Sequence, residues 1–243
     1  MSIRALSIAA TGGRALLHQI DLIAANLANV HTAGYKRSRA TFADLAAGAG
    51  VRLQSSGKMF DAGKLQATQR ELDLAIEGEG FFRVLLPDQS VAFTRAGNLS
   101  VDANGTLASA DGHPVDPPLA VPPGFTKLVI DPSGLVQGYH PDSPGELQAV
   151  GQIELTKFPN PSGLESAGST LFRASEAAGE RIDGQPGQEF GVIRQGHLEQ
   201  SNVDPLRELA DLVQAQRAFE INSRALQAAD EILQSVNNLR RKS

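Results

Sequence analysis

The first thirty residues carry an apolar stripe that nothing nearby in the chain can cover. Ile3, Leu6, Ala10, Gly13, Leu17, Ile20, Ala24 and Leu27 step 3,4,3,4,3,4,3, the spacing of a coiled-coil seam. A second apolar column, Ala9, Leu16, Ile23 and Val30, lies beside it. The predicted helix over residues 3–30 is about 40 Å long at 1.5 Å per residue. Gly12 and Gly13 at its middle each cost about 1 kcal/mol relative to alanine, so the helix is weak alone but can be approached closely. It runs into Asn26-Leu-Ala-Asn29-Val-His-Thr-Ala-Gly34-Tyr35-Lys36-Arg37. There asparagines interrupt the apolar face, and a glycine supplies the left-handed residue that ends a helix. The partner of this helix must lie far along the chain or in another copy.

A matching stripe stands at the opposite end. Asp204 fits as N-cap and Pro205 as the first helical residue, with Glu208 in the first turn. From there Leu212, Ala215, Phe219, Asn222, Leu226, Ala229, Leu233 and Val236 again step by three and four, flanked by Ala218, Ala225, Ile232 and Leu239. A helix over residues 204–239 is roughly 54 Å long. Its seam has one polar interruption, Asn222, a residue type that fixes register at some cost in stability. Each large apolar seam residue, once fully buried, contributes roughly 1.5–3 kcal/mol.

Between the helices the pattern changes to strands. The 24 glycines and 13 prolines concentrate there, as in a turn-rich β region. Leu99-Ser-Val101-Asp102-Ala-Asn-Gly105-Thr-Leu107 and Leu128-Val-Ile130-Asp131-Pro-Ser-Gly134-Leu-Val136 repeat one grammar. An alternating strand leads to an Asp that can accept the turn amides, then to a Gly suited to positive φ, then to a return strand. Gly78-Glu-Gly80 reads as a tight turn before the strand Phe81–Leu86, and Thr41, Phe42 and Leu45 suggest a short helix. The expected class is α+β: a discontinuous N-/C-terminal helical coiled-coil domain flanking a central all-β domain. Residues 1–35 supply the first helix, 36–75 an extended connecting arm, 76–200 the β domain and 201–243 the second helix.

Composition narrows the function. The net charge of −5 comes with no basic stripe, which argues against a nucleic-acid partner. The absence of cysteine excludes disulfides, Cys-ligated zinc and a thiol nucleophile. Arg14, His18 and Asp21 break what would be the apolar region of a cleavable signal peptide. No window is long and apolar enough to span a bilayer. The five histidines are scattered without metal-ligand spacing. Gly78-Glu-Gly80 lacks the third glycine of a dinucleotide fingerprint, and neither a nucleophile elbow nor a P-loop occurs. Glu77 and Glu79 could be read as a carboxylate pair, and Asp102 and Asp131 as calcium ligands, but a turn explains each. No catalytic residue, metal ligand or cofactor site is expected.

Asn26-Leu-Ala-Asn29-Val-x-Thr-x-Gly34-Tyr35-Lys36 after an N-terminal helix resembles the signature of the bacterial flagellar rod, hook and hook-associated axial proteins. Similar to the rod-type body are Asp73-Leu-Ala-Ile-x-Gly78-x-Gly80-Phe81-Phe82 and Phe93-Thr-Arg95-x-Gly97-x-Leu-x-Val101-Asp102-x-Asn104-Gly105. Gly196-x-Leu198-Glu199-x-Ser201-Asn202-Val203 and Gln216-Arg217-Ala218-Phe219-Glu220-Ile221-Asn222-Ser223 follow in the same order. Within the family the chain most resembles the distal rod type, with a proximal rod or hook-basal-body paralogue as alternative. It looks shorter than that type between Phe42 and Asp73.

The resemblance implies a non-enzymatic subunit, exported unfolded through the flagellar type III apparatus. It would polymerise helically with itself into the hollow shaft that carries torque from motor to hook. Its neighbours would be adjacent rod and hook proteins and the bushing proteins of the peptidoglycan and outer-membrane rings. Expected assembly residues are Ile3, Leu6, Leu17, Ile20, Asn26, Leu27, Asn29, Gly34, Tyr35 and Lys36 on the first side. Those on the second are Leu212, Phe219, Asn222, Leu226, Leu233 and Val236. A different class, a secreted carbohydrate-binding module or hydrolase with a helical stalk, is opposed by the missing aromatic platform: no Trp and two Tyr.

Overall fold

Asp204 caps a long helix as its side chain predicts: the Leu206 and Arg207 amides donate to Asp204 Oδ1 at 3.0 and 3.4 Å. In the computed structural model this helix, α2 (Pro205–Lys242), pairs with α1 (Ser2–Ala28). The structure describes residues 2–44, 50–125, 127–141, 146–168, 170–187 and 189–242; the side chains of 2–6, 44, 233 and 235–242 are outside that description. Two compact units emerge. One comprises Met1–Val30, Arg37–Met59 and Val203–Ser243, the other His31–Lys36 and Phe60–Asn202.

The first unit holds α1, α2 and a two-stranded antiparallel hairpin of β1 (Ser38–Asp44) and β2 (Val51–Lys58). Asn26 of α1 meets Glu208 of α2, while Ala9 and Gly13 meet Asn222, so the helices run antiparallel. The short helix expected around Thr41 and Phe42 is instead strand β1, and Leu45 lies outside the described residues. Two apolar points cannot distinguish the periods. A β-branched residue beside an aromatic fits a pleat, and β2 supplies the hydrogen bonds, with a register break between Thr41 and Phe42.

Among its described residues the second unit is all-β in its regular elements, apart from two short 3-10 turns. It comprises β3 (Leu65–Ala67), β4 (Leu74–Glu77), β5 (Phe81–Leu85), β6 (Val91–Thr94), β7 (Leu99–Val101) and β8 (Leu107–Ser109). These are followed by β9 (Lys127–Ile130), β10 (Leu135–Tyr139), β11 (Leu147–Gln152), β12 (Leu155–Lys157), β13 (Glu165–Ser166) and β14 (Leu171–Arg173). The last are β15 (Ile182–Gly184), β16 (Val192–Gln195) and β17 (His197–Glu199). A six-stranded antiparallel sheet, β13-β14-β6-β5-β12-β15, is the centre, joined by a three-stranded sheet and the pairs β16-β4, β17-β3 and β7-β8.

Both predicted hairpins form. Asp102 Oδ1 accepts the Asn104 and Thr106 amides at 2.8 Å each, and Gly105 sits at φ +80°. Asp131 Oδ1 accepts those of Ser133 and Leu135 at 2.9 and 3.0 Å, with Gly134 at φ +87°. The carboxylates are spent on turns, as the spacing suggested.

Neighbouring residues on β5 face opposite sides of the central sheet, as the two-residue period requires. Phe82 joins Leu74, Ile76, Leu155 and Ile193 in an aliphatic core. Phe81 joins Phe93, Phe158 and Phe172 in an aromatic one, its rings packed edge-to-face with Phe60 at the margin. Phe172 has no exposed surface, and its ring centroid lies 4.9 Å from that of Phe60. Phe172→Ala is therefore expected to cost the β unit about 3–5 kcal/mol, read from urea unfolding of the purified variant. A loss below about 1 kcal/mol would mean the aromatic cluster does not hold this face.

Candidate assembly site

Two knots of buried polar groups, one in each unit, tie the ends of the Asn26–Lys36 run that sequence reasoning marked for assembly. In the helical unit Asn26 acts as a surrogate backbone. Its Nδ2 donates to Ser38 O at 2.9 Å and its Oδ1 accepts the Ser38 amide at 2.8 Å, so a side chain of α1 pairs with the start of β1 as a strand would. The same Nδ2 reaches Glu208 Oε2 at 3.2 Å. Glu208 Oε1 accepts a close hydrogen bond from Arg37 Nε, and Arg37 Nη2 stands 3.4 Å from Asp211. Asn26 and Glu208 are each 1% exposed, so the carboxylate has exchanged water for two donor groups, one from each neighbour.

Further along the pair, Asn222 Nδ2 donates to Ala9 O at 2.8 Å. Its amide fills the space beside Gly13, where an added Cβ would come within 2.9 Å of Nδ2. The polar seam residue thus fixes register by binding the other helix's backbone, and the glycine permits it. Leu212, Phe219, Asn222 and Leu226 are half-buried around a fully buried Ala215, and share the face that carries Glu208.

The α1 seam is rotated from expectation. Leu17 is 46% exposed, Ile20 and Leu27 are half-buried, and the second column supplies the buried Ile23. The cause is the close approach at Ala9, Gly12 and Gly13 demanded by Asn222, which turns that flank inward. Ile3, Leu6, Leu233 and Val236 lie on the helices with side chains outside the described set.

In the β-rich unit the loop 31–36 is held by Glu199. The Gly34 amide donates to Glu199 O at 2.8 Å, the Lys36 ammonium to Glu199 Oε1 at 2.7 Å and to Asp61 O at 2.7 Å, and the Gly63 amide to Oε1 at 2.8 Å. Arg95 Nε stands 3.6 Å from Oε2, while its Nη2 donates to Gly78 O at 2.7 Å. Lys36, Glu199 and Arg95 are 0%, 1% and 5% exposed. Burial pulls Lys36 below the ordinary lysine value against the raising pull of Glu199, and it lowers Arg95 likewise. Gly34, at φ +69°, lies where any Cβ would strike the Arg95–Ala96 backbone, so only glycine fits. Tyr35 beside it is 3% exposed.

Asn26 and Lys36, expected from sequence to satisfy backbone and neighbouring subunits, bond to groups of their own chain, and Tyr35 beside Lys36 is buried. Asn29, half-buried, donates to Ala25 O at 2.8 Å. Sequence reasoning missed Glu199 and Arg95 as functional residues although both stood in quoted motifs, and it gave Glu208 only a place in the first turn. Their partners lie up to 182 residues away in sequence, beyond the reach of spacing.

Comparison with known proteins covers these stretches. A family model described as flagella basal body rod protein matches residues 6–36. One described as the flagellar hook protein FlgE/F/G D1 domain matches 75–138, and one described as flagellar basal body rod FlgEFG protein C-terminal matches 194–239. The flagellar basal-body rod protein FlgG of Borreliella burgdorferi is 38% identical over 98% of this chain and 99% of its own. The chain belongs to the flagellar basal-body rod protein family.

FlgG of Caulobacter vibrioides (37% identical, 98% and 99% covered) and of Bacillus subtilis (36%, 98% and 100%) are similarly related. The Borreliella alignment spans 263 positions against the 243 residues here, so that relative carries residues this rod protein lacks. The rod protein is a structural subunit of the flagellar basal body, and Lys36, Glu199 and Glu208 all lie inside the matched regions.

Removing one partner of a buried pair costs about 3–5 kcal/mol, whereas replacing the pair with apolar groups is close to neutral. Glu199→Gln in the rod subunit should lose stability in that range by urea unfolding, and Glu199→Leu with Lys36→Met should recover only part of it, because Arg95 still lacks its carboxylate. A Glu199→Gln protein as stable as the parent would show that the buried charges do not pin the loop.

Proposed function

We propose that the subunit polymerises helically with its own copies into the hollow distal section of the rod, transmitting torque from motor to hook. One observation carries the reading: α2 has a second apolar flank that its own chain leaves open. Leu206 is 78% exposed, Ile221 70% and Ile232 60%, on a helix whose other flank is used against α1. Exposed apolar residues repeating along a helix are a docking face. In a polymer of identical subunits each face meets a copy, so that α1 and α2 become part of an inner coiled-coil layer.

Discontinuous terminal helices suit a chain exported unfolded through the type III apparatus, since they pair only once both ends have arrived. Adjacent rod and hook proteins, and the ring proteins of the peptidoglycan and outer membrane, are the neighbours of such a shaft in the periplasm. The subunit works by geometry and performs no catalysis.

Ile221 tests the reading with little disturbance to the subunit. Ile221→Asp should leave circular dichroism and urea unfolding of the purified protein within about 0.5 kcal/mol of the parent, as surface substitutions do. Cells carrying it as their only copy should be non-motile and lack completed rods by electron microscopy. Motile cells with normal basal bodies would refute the docking face.

A further inference from the structure

Glu199 gathers three stretches of the β-rich unit that are far apart in the chain. Its carbonyl accepts the Gly34 amide at 2.8 Å, and its Oε1 accepts the Lys36 ammonium at 2.7 Å and the Gly63 amide at 2.8 Å. Around it the pairing continues. β17 lies against β3, the Thr68 amide donates to Gly196 O at 2.9 Å, and the Gln200 amide donates to Lys64 O at 2.8 Å. Asn202 Nδ2 donates to Asp61 O at 3.1 Å. Residues 31–36, 61–68 and 196–202 are thereby joined into one piece.

That piece is built unlike the sheet beside it. The six strands of the central sheet come from residues 81–184. The described apolar clusters take no side chain from the three stretches. β3 is exposed along its whole length. Apart from Gly34, the buried residues of the stretches are Tyr35, Lys36 and Glu199. The loop approaches Ala96 closely at Gly34, but Thr32 and Ala33 face Thr94 and Thr170 across a hollow of about 110 Å³. Few apolar contacts and many hydrogen bonds near solvent put a segment at the low-stability end of a fold.

The buried charges make its release all-or-none. Lys36 is 0% exposed and Glu199 1%. Withdrawing either one alone strands the other's charge out of water, whereas withdrawing both returns both to water. Arg95 stays with the sheet, because its Nη2 donates to Gly78 O at 2.7 Å and its guanidinium carbon lies 5.6 Å from the centre of the Phe81 ring. The chain passes between its two units at residues 30/31, 36/37, 59/60 and 202/203, at or next to the ends of these stretches.

We propose that the three stretches form a latch that opens and closes as one cooperative piece while the central sheet stays folded. Opening frees the chain's connections to the helices; closing fixes them. Such a latch belongs to the single subunit, whether or not copies polymerise.

Residue-resolved amide exchange on the full-length subunit tests it. The amides of Gly34, Gly63, Thr68 and Gln200 should share one protection factor, lower than that of the β5 and β6 amides. Val84 has no exposed surface and packs with Ala92 and Leu171, outside the latch. Val84→Ala should speed exchange in β5 and β6 at least about tenfold and leave the latch amides within about twofold of the parent. Glu199→Gln should speed latch and sheet alike by at least about tenfold, since it weakens the closed state against every opened one. Latch amides accelerated by Val84→Ala as much as the sheet would overturn the latch, as would four unlike protection factors in the parent. Should Val84→Ala fail to fold, the parent's own response to low urea decides. Exchange of the latch amides should depend weakly on urea and that of β5 and β6 steeply, in proportion to the surface each opening exposes. Equal slopes would overturn the latch.

Discussion

The buried carboxylate of Glu199 is the interaction on which the rest of the β-rich unit depends at its margin. It takes the Lys36 ammonium and the Gly63 amide on one oxygen and faces Arg95 with the other, while its own carbonyl receives Gly34. Lys36, Arg95 and Glu199 are out of water, so each loses heavily if the arrangement slips. The loop 31–36 can therefore sit in one place only. The backbone partners, Asp61 O for Lys36 and Gly78 O for Arg95, absorb the donor capacity that one carboxylate cannot, which is how two cations and one anion are tolerated together.

The helical unit is held by a thinner set of forces. Among its described residues the buried apolar side chains are Ile23, Val203 and Ala215, against the two large clusters of the β-rich unit. Register comes instead from polar contacts to backbone: Asn26 on Ser38 and Asn222 on Ala9. Such contacts specify geometry well but add little stability each. A unit of this kind gains most of its order when its remaining apolar faces are covered, which fits a part whose working state is the assembled rod. Apolar burial among the described residues is thus uneven along one chain, dense in the β-rich unit and sparse in the helical one.

Much of this was legible in the residues, for local reasons. The two Asp-x-x-Gly turns were readable because an aspartate acts on amides two and four residues on. The start of α2 was readable because Asp204-Pro205 is a capping pair. The α2 face from Leu212 to Leu226 followed from heptad spacing alone. The α1 face did not, because spacing cannot say which flank an opposing Asn222 will draw in. Thr41 and Phe42 misled because two apolar points fit either period until β2 is there to pair with. Glu199 and Arg95 stayed hidden for a different reason. A buried ion group is a property of three distant residues together, and no window of sequence contains it.

In the proposed assembly one chain joins a β-rich unit to terminal helices that neighbouring subunits complete. Amide hydrogen exchange, compared between dilute purified subunit and intact rods, tests it most directly. Strong protection of β5, β6 and β12 in both states, with protection of α1 and α2 gained only in the rod, is the predicted result. Terminal helices equally protected in the dilute subunit and in the rod would contradict it.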